Sequence, residues 1–179
     1  AAADSMSLLE TLNTKGFSSL EFSSESVTKA RERLAPILQS VPPADRRGKE
    51  HICPKIIEEV LMGCFMSDQL AATIEAYLKP LHYETMYVRG ALSSRDEYND
   101  YWHQDCNNNH ELLVLGIHLE GRALDTEIVE DSLGWGVFEF PDEIKIAKDK
   151  VRRAGAAFIM DGVMVHRRPA GPPRAKPDD

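Results

Sequence analysis

Three side chains in this sequence have the types and spacing to hold one metal ion: His103 and Asp105, within Tyr101-Trp102-His103-Gln104-Asp105, and the distant His166. His103 and Asp105 stand two positions apart, so an extended strand would turn both to one face, where they can grip an ion together. His166 must then arrive on a remote strand that folds back. Two imidazoles and one carboxylate on one side of a metal leave the opposite coordination positions open, and this borderline and hard donor set suits non-haem Fe(II). The expectation is a metal enzyme.

A His-x-Asp tripeptide is unspecific in a chain with six histidines, so its surroundings must carry the reading. Tyr101 and Trp102 precede it, and the polar turn Asn107-Asn108-Asn109 follows it. Near the end, Ala156-Ala157-Phe158-Ile159-Met160 and Val163-Met164-Val165-His166 flank Asp161-Gly162. An Asp-Gly pair between two apolar runs predicts a β-hairpin, which would return His166 toward the sheet.

The elements that must position these residues change character along the chain. Residues 6–25 show little periodicity, and Ser18 to Ser26 reads as a loop ending in a helix cap. From Val27, the apolar positions Val27, Ala30, Leu34, Ile37, Leu38 and Val41 step by three and four, one face of a helix, with a kink or break expected at Pro36. Pro42 to Glu50 reads as a connector. Pro54 suits a helix start, with Ile56, Ile57, Val60, Leu61 and Cys64 as its stripe. Ser67 is a cap for the next helix, with Leu70, Ile74, Tyr77 and Leu78 facing the core and Pro80 ending it. Beyond it, His82 to Leu92, Glu111 to Leu119 and Trp135 to Phe140 read as strands. The sum is a single α+β domain over 1–179, a helical layer at about 26–80 followed by an antiparallel β core at about 82–174.

The composition is that of an ordinary globular protein, 42% hydrophobic and 28% charged, and the formal net charge of -8 argues against nucleic acid as the main partner. A basic stretch, Lys145, Lys148, Lys150, Arg152, Arg153, Arg167, Arg168, Arg174 and Lys176, reads first as solvated surface and alternatively as a mouth that attracts acidic co-substrates. Cys53, Cys64 and Cys106 form no CxxC pair, so a reducing cytoplasmic or other intracellular setting is expected. No apolar run reaches the roughly twenty residues of a membrane span, so no membrane partner is expected.

The order Trp-His-Gln-Asp, an apolar strand, a loop and then Gly-Ala-Ala-Phe-Ile-Met-Asp-Gly-Val-Met-Val-His resembles the Fe(II)/2-oxoglutarate-dependent oxygenases, and among them the phytanoyl-CoA hydroxylase-like branch. The resemblance covers about residues 82–174. It implies a double-stranded β-helix, the jelly roll of cupin-like proteins, with N-terminal helices packed on one sheet. It implies His103, Asp105 and His166 as iron ligands, with 2-oxoglutarate and dioxygen on the remaining positions. The implied activity is hydroxylation or desaturation of a small organic substrate through a ferryl intermediate, releasing succinate and carbon dioxide. Related halogenases carry a small residue where Asp105 stands, so the carboxylate points away from halogenation.

The distal carboxylate of 2-oxoglutarate needs a cation, best a guanidinium. The family's arginine follows the last histidine by about ten positions on a final strand; here Arg174 follows by eight, behind Pro172 and Pro173. Arg174 is the first candidate and Arg89 the second, with Tyr87 on the face of Arg89 as a hydrogen-bond donor. No apolar run follows the expected hairpin, so the last barrel strand is expected to be missing from this chain.

Bland readings stand beside these. His118 reads as a structural sheet residue, His51, His82 and His110 as surface or supporting residues, and Trp135, Phe138 and Phe140 as core. Asn107 to Asn109 read as turn formers, with Asn107 close enough to the motif to reach a substrate, and Cys106 reads as packing. The alternatives to an oxygenase are a cupin-like metal enzyme that does not use 2-oxoglutarate and a non-catalytic binding module on the same fold.

Overall fold

The computed structural model describes residues 7–40, 54–79, 99–106, 112–119, 126–135, 144–148 and 153–168. Helix α1 (Leu8–Lys15) is defined by its two ends. The Ser7 hydroxyl accepts the Glu10 N–H at 3.2 Å, and Gly16 closes the helix at φ 75°, a left-handed conformation open to glycine. Strand β1 (Phe17–Glu21) follows at once and pairs with β6, Phe17 opposite Met160 and Leu20 opposite Ala157. A helix and a strand therefore stand where the sequence suggested an irregular stretch and a serine-rich loop.

The next three helices match expectation more closely. Pro36 lies inside α2 (Ser24–Ser40), which is not broken there. The missing donor at one position is outweighed by the burial of Val27, Ala30 and Leu34 against Ile57 and Val60 of α3 (Pro54–Cys64). Ile56, placed on the expected stripe of α3, is instead 41% exposed. The Ser67 hydroxyl accepts the Leu70 N–H at 3.1 Å and starts α4 (Asp68–Leu78), which buries Leu70, Ile74 and Tyr77. The connector, the strand expected at His82 to Leu92 and residues 136–140 lie outside the described residues; Trp135 is described and is not in a strand.

Six further strands follow: β2 (Asn99–His103), β3 (Leu113–Ile117), β4 (Glu127–Val129), β5 (Ile146–Lys148), β6 (Ala156–Asp161) and β7 (His166–Arg168). Together with β1 they form two antiparallel sheets, one ordered β1-β6-β3 and the other β2-β7-β4-β5. The protein is thus mixed α+β with two antiparallel sheets, an arrangement compatible with a β-sandwich.

Period-two alternation in β6 divides the core. Ile159 faces the helices, packing with Leu12 of α1 and Leu70, Ile74 and Tyr77 of α4. Phe158 and Met160 point the other way and pack with Ile128 of β4 and with Met164, so this second cluster joins the two sheets.

The crossing from β6 to β7 corrects the expected hairpin. The two strands do not pair: β6 is the centre of the first sheet and β7 lies in the second. Neither Asp161 nor Gly162 has a positive φ, which the favoured two-residue hairpin turns require at one or both central positions. Instead, the Met164 N–H donates to the Asp161 carbonyl at 3.0 Å and the Val163 N–H to Asp161 Oδ1 at 3.0 Å. The result is a side-chain-braced turn that carries the chain from one sheet to the other.

Candidate metal centre

Strand β7 brings His166 back to His103, and the two residues are direct partners in the β2–β7 ladder. His166 is also opposite Ile128 of β4, whose side chain belongs to the cluster between the sheets, so the histidines share the face that looks into the inter-sheet space. Asp105 arrives by a different route from the expected one. Strand β2 ends at His103, and Asp105 lies in a bend beyond it, not on the strand. Its placement comes from the crossing turn, where the Gly162 carbonyl accepts the N–H of Asp105 at 2.8 Å and that of Cys106 at 3.2 Å.

The three side chains nevertheless converge. Their potential ligand atoms all lie within 4.8 Å of one another. His103 Nε2 is 3.7 Å from Asp105 Oδ1 and His166 Nε2 is 3.6 Å from Asp105 Oδ2. These separations are too long for hydrogen bonds and short enough for one shared ion. The imidazole rings stand 4.3 Å apart, tilted at 52°.

The backbone sets the tautomer of each ring. His103 Nδ1 lies 3.1 Å from the Tyr101 carbonyl and His166 Nδ1 2.9 Å from the Met164 carbonyl. A carbonyl oxygen can only accept, so each Nδ1 carries the proton and donates, and each Nε2 of the neutral ring presents its lone pair toward Asp105. This is the outer support seen around histidine metal ligands, where the second nitrogen is held by a fixed acceptor. Burial pushes the His166 imidazole below its ordinary pKa, with His103 adding to the effect; the Met164 carbonyl and Asp105 oppose it. The neutral, metal-binding form is therefore favoured at His166.

The donor set fits a divalent transition metal such as Fe(II): two imidazole nitrogens oriented by backbone carbonyls and one carboxylate, with His166 buried and the Asp105 side chain 31% exposed. The co-substrate anchors proposed from sequence, Arg174, Arg89 and Tyr87, lie outside the described residues. His118 follows β3 and joins its backbone to the β6 sheet, with its N–H donating to the Ala156 carbonyl at 2.9 Å. Cys106 packs under Gly162, where an added Cβ would stand 2.9 Å from its Sγ and 3.1 Å from the Leu112 carbonyl oxygen, so a larger residue at 162 would require the bend to shift.

Several supporting residues escaped the sequence reading. Gln104, between two ligands, donates from Nε2 to the Val163 carbonyl at 2.6 Å. On the opposite face of β7, Arg167 stacks 4.2 Å from the Trp102 ring and donates from Nε and an Nη to Glu127 Oε2, each at 2.8 Å. Buried Ser132 donates to the Val129 carbonyl at 2.8 Å and accepts the Val165 N–H at 3.0 Å, tying β4 to the residue before His166. Tyr77, expected only as core, donates its hydroxyl to Asp161 at 2.6 Å. One readable signal for this last pair was a carboxylate ending an otherwise apolar run, because a buried acid needs a donor.

Protein-family models and curated proteins were compared with the chain, and none matches. Among the described residues, no helix is long and apolar enough to cross a membrane.

Proposed function

We propose that this chain is a non-haem iron oxygenase that uses 2-oxoglutarate and dioxygen to hydroxylate or desaturate a small organic substrate, in the manner of the phytanoyl-CoA hydroxylase-like enzymes it resembles. The observation that carries the reading is the convergence of His103, Asp105 and His166 with both Nδ1 protons committed to backbone carbonyls. The two antiparallel sheets support the jelly-roll assignment.

His103, Asp105 and His166 would hold the iron, which when bound supplies the oxidising chemistry that couples decarboxylation of 2-oxoglutarate, to succinate and carbon dioxide, to oxidation of the substrate. The protein's own contribution is placement. The carbonyls of Tyr101 and Met164 accept from each Nδ1, which turns each Nε2 toward Asp105, and Asp105 sits between the two rings with one oxygen toward each. Arg174, Arg89 and Tyr87 are the candidates to bind the distal carboxylate of 2-oxoglutarate, an arginine through two parallel N–H donors.

The test is an anaerobic titration with Fe(II) and 2-oxoglutarate, followed by admission of oxygen and measurement of succinate. Iron-dependent succinate, lost in His103→Ala, is the expected result. Iron binding without affinity for 2-oxoglutarate would move the protein to the cupin-like metal enzymes that do not use it. Failure to bind Fe(II) or Mn(II) would leave a binding module and end the oxygenase reading.

A further inference from the structure

Three successive carbonyls of the crossing between β6 and β7 each hold one part of the metal centre. The Gly162 carbonyl takes the N–H of Asp105, the Val163 carbonyl takes the side-chain amide of Gln104, and the Met164 carbonyl takes Nδ1–H of His166. The position of this short backbone segment therefore determines where two ligands point. It is braced at its start by one side chain. Asp161 Oδ1 accepts the Val163 N–H at 3.0 Å, while Oδ2 accepts the Tyr77 hydroxyl of α4 at 2.6 Å.

Both partners are inside the protein, Asp161 with 0% and Tyr77 with 8% of its surface exposed. Burial, reinforced by hydrogen bonding to Asp161, pushes the Tyr77 hydroxyl far above its ordinary pKa, so it remains a donor throughout the working range. A buried carboxylate is an expensive way to close a turn, since taking it from water costs several kcal/mol before its partners compensate. Its two oxygens here face two different structures, the turn on one side and the helix on the other. The main-chain N–H of Asp161 adds a third tie, donating to the Gly16 carbonyl at 2.8 Å at the junction of α1 and β1.

We propose that Asp161 is the positioning residue of the metal centre and that the Tyr77 hydroxyl fixes it, so that this one hydrogen bond from α4 sets the placement of Asp105 and His166. Asp161 acts through the backbone of residues 162–164, which it holds in place from its anchor on the Tyr77 hydroxyl. The proposal rests on the metal reading above, and it adds a coupling that the ligand set alone does not imply.

Tyr77→Phe removes only the hydroxyl and keeps the ring in the core. Binding of Co(II), followed by its visible absorption, and of Mn(II), followed by electron paramagnetic resonance, reports the site without any need for turnover. Tyr77→Phe is expected to weaken both Kd values about tenfold, the lower end of the effect of outer partners on metal ligands, and to change the Co(II) spectrum. Asp161→Asn keeps an acceptor for Val163 and a polar partner for Tyr77, so it should lose less affinity than Asp161→Ala. Ile74→Val, a packing change on the same helix, should leave affinity and spectrum as in the wild type.

Wild-type Kd and spectrum in Tyr77→Phe, accompanied only by a lower melting temperature, would reduce the bond to a structural one and overturn the proposal. The same holds if Asp161→Asn and Asp161→Ala bind metal as the wild type does, a comparison that remains if Tyr77→Phe fails to fold. Absence of Co(II) and Mn(II) binding in the wild type would remove the metal reading itself, and the coupling with it.

Discussion

Strand β6, at the centre of the three-stranded sheet, buries all six of its residues, whereas β7 in the other sheet alternates buried His166 with half-exposed Arg167. Apart from the Asp161–Tyr77 bond, the first sheet is held by hydrocarbon on both faces, against helices on one side and against Ile128 and Met164 on the other. The second is held around its site by named polar bonds: carbonyls on two imidazoles, Ser132 on Val165 and Arg167 on Glu127. Apolar packing is tolerant of position but not of volume, while hydrogen bonds tolerate little movement of either partner. The molecule thus divides into a frame that supplies stability and a ligand-bearing sheet that spends much of its bonding on orientation.

Outside the Tyr77–Asp161 bond, the frame should respond in stability alone. Ile159→Ala removes a fully buried side chain from the cluster of α1, α4 and β6 and should destabilise the protein by about 2–5 kcal/mol in urea unfolding. The fraction still folded should bind Co(II) with unchanged affinity. A weakened Kd in that fraction would erase the division between the two sheets. His166→Ala should do the reverse: metal affinity falls more than about a hundredfold, beyond the range for outer partners of ligands, while the metal-free protein loses less stability than Ile159→Ala does. Metal titration and urea unfolding of the same samples decide both points.

This division also explains what could be read from the sequence. Helices α2, α3 and α4 announce themselves through apolar steps of three and four, and the ligands through residue type, since few side chains bind a transition metal. What places the ligands was less legible, because backbone carbonyls at Tyr101, Gly162, Val163 and Met164 have no residue-type signature. Asp161-Gly162 misled for a related reason. The dipeptide favours a hairpin locally, but burial of Met160 and Met164 in the cluster between the sheets, with the Asp161 side chain on Val163 and Tyr77, turns the chain into the other sheet. The start of the chain was a different oversight: Ser7-Leu8-Leu9-Glu10 followed by Gly16 has the cap signals of a short helix. β1 had only Phe17 and Leu20 to declare it and is held by pairing with β6, a contact that no local pattern contains.

On the outer face of the second sheet, Glu127→Gln tests whether polar bonds there contribute orientation or stability. Glu127 is 5% exposed and lies under Arg167, which is itself stacked on Trp102 beside His103. Loss of the charge should cost about 1–2 kcal/mol, in the lower part of the range for charge-assisted hydrogen bonds because Arg167 keeps contact with water. A double-mutant cycle with Arg167→Gln should return a favourable coupling, read from urea midpoints. Additive single effects would show that the pair is only adjacent, and the orienting bonds would then be confined to the inner face.

The smallest expected effect belongs to protonation of the metal-free site. Burial depresses the His166 pKa, so between the folded and unfolded values the unfolded chain binds more protons, and stability rises with pH across that interval. The contribution is complete above about pH 6.5, the ordinary histidine value, and is lost as pH falls from there through the depressed folded value. One proton limits the slope to about 1.4 kcal/mol per pH unit, and the Met164 carbonyl and Asp105, which favour the charged ring, hold the effect below that limit. His166→Gln should flatten this part of the profile, so the difference between wild-type and variant urea midpoints should shrink as pH falls below 6.5. No equivalent change is expected from Ile159→Val, which alters the frame without a titrating group. If the wild type and His166→Gln give parallel profiles, the ring is not held neutral by its surroundings, and the site would have to acquire its metal-binding protonation state from the metal rather than from the fold.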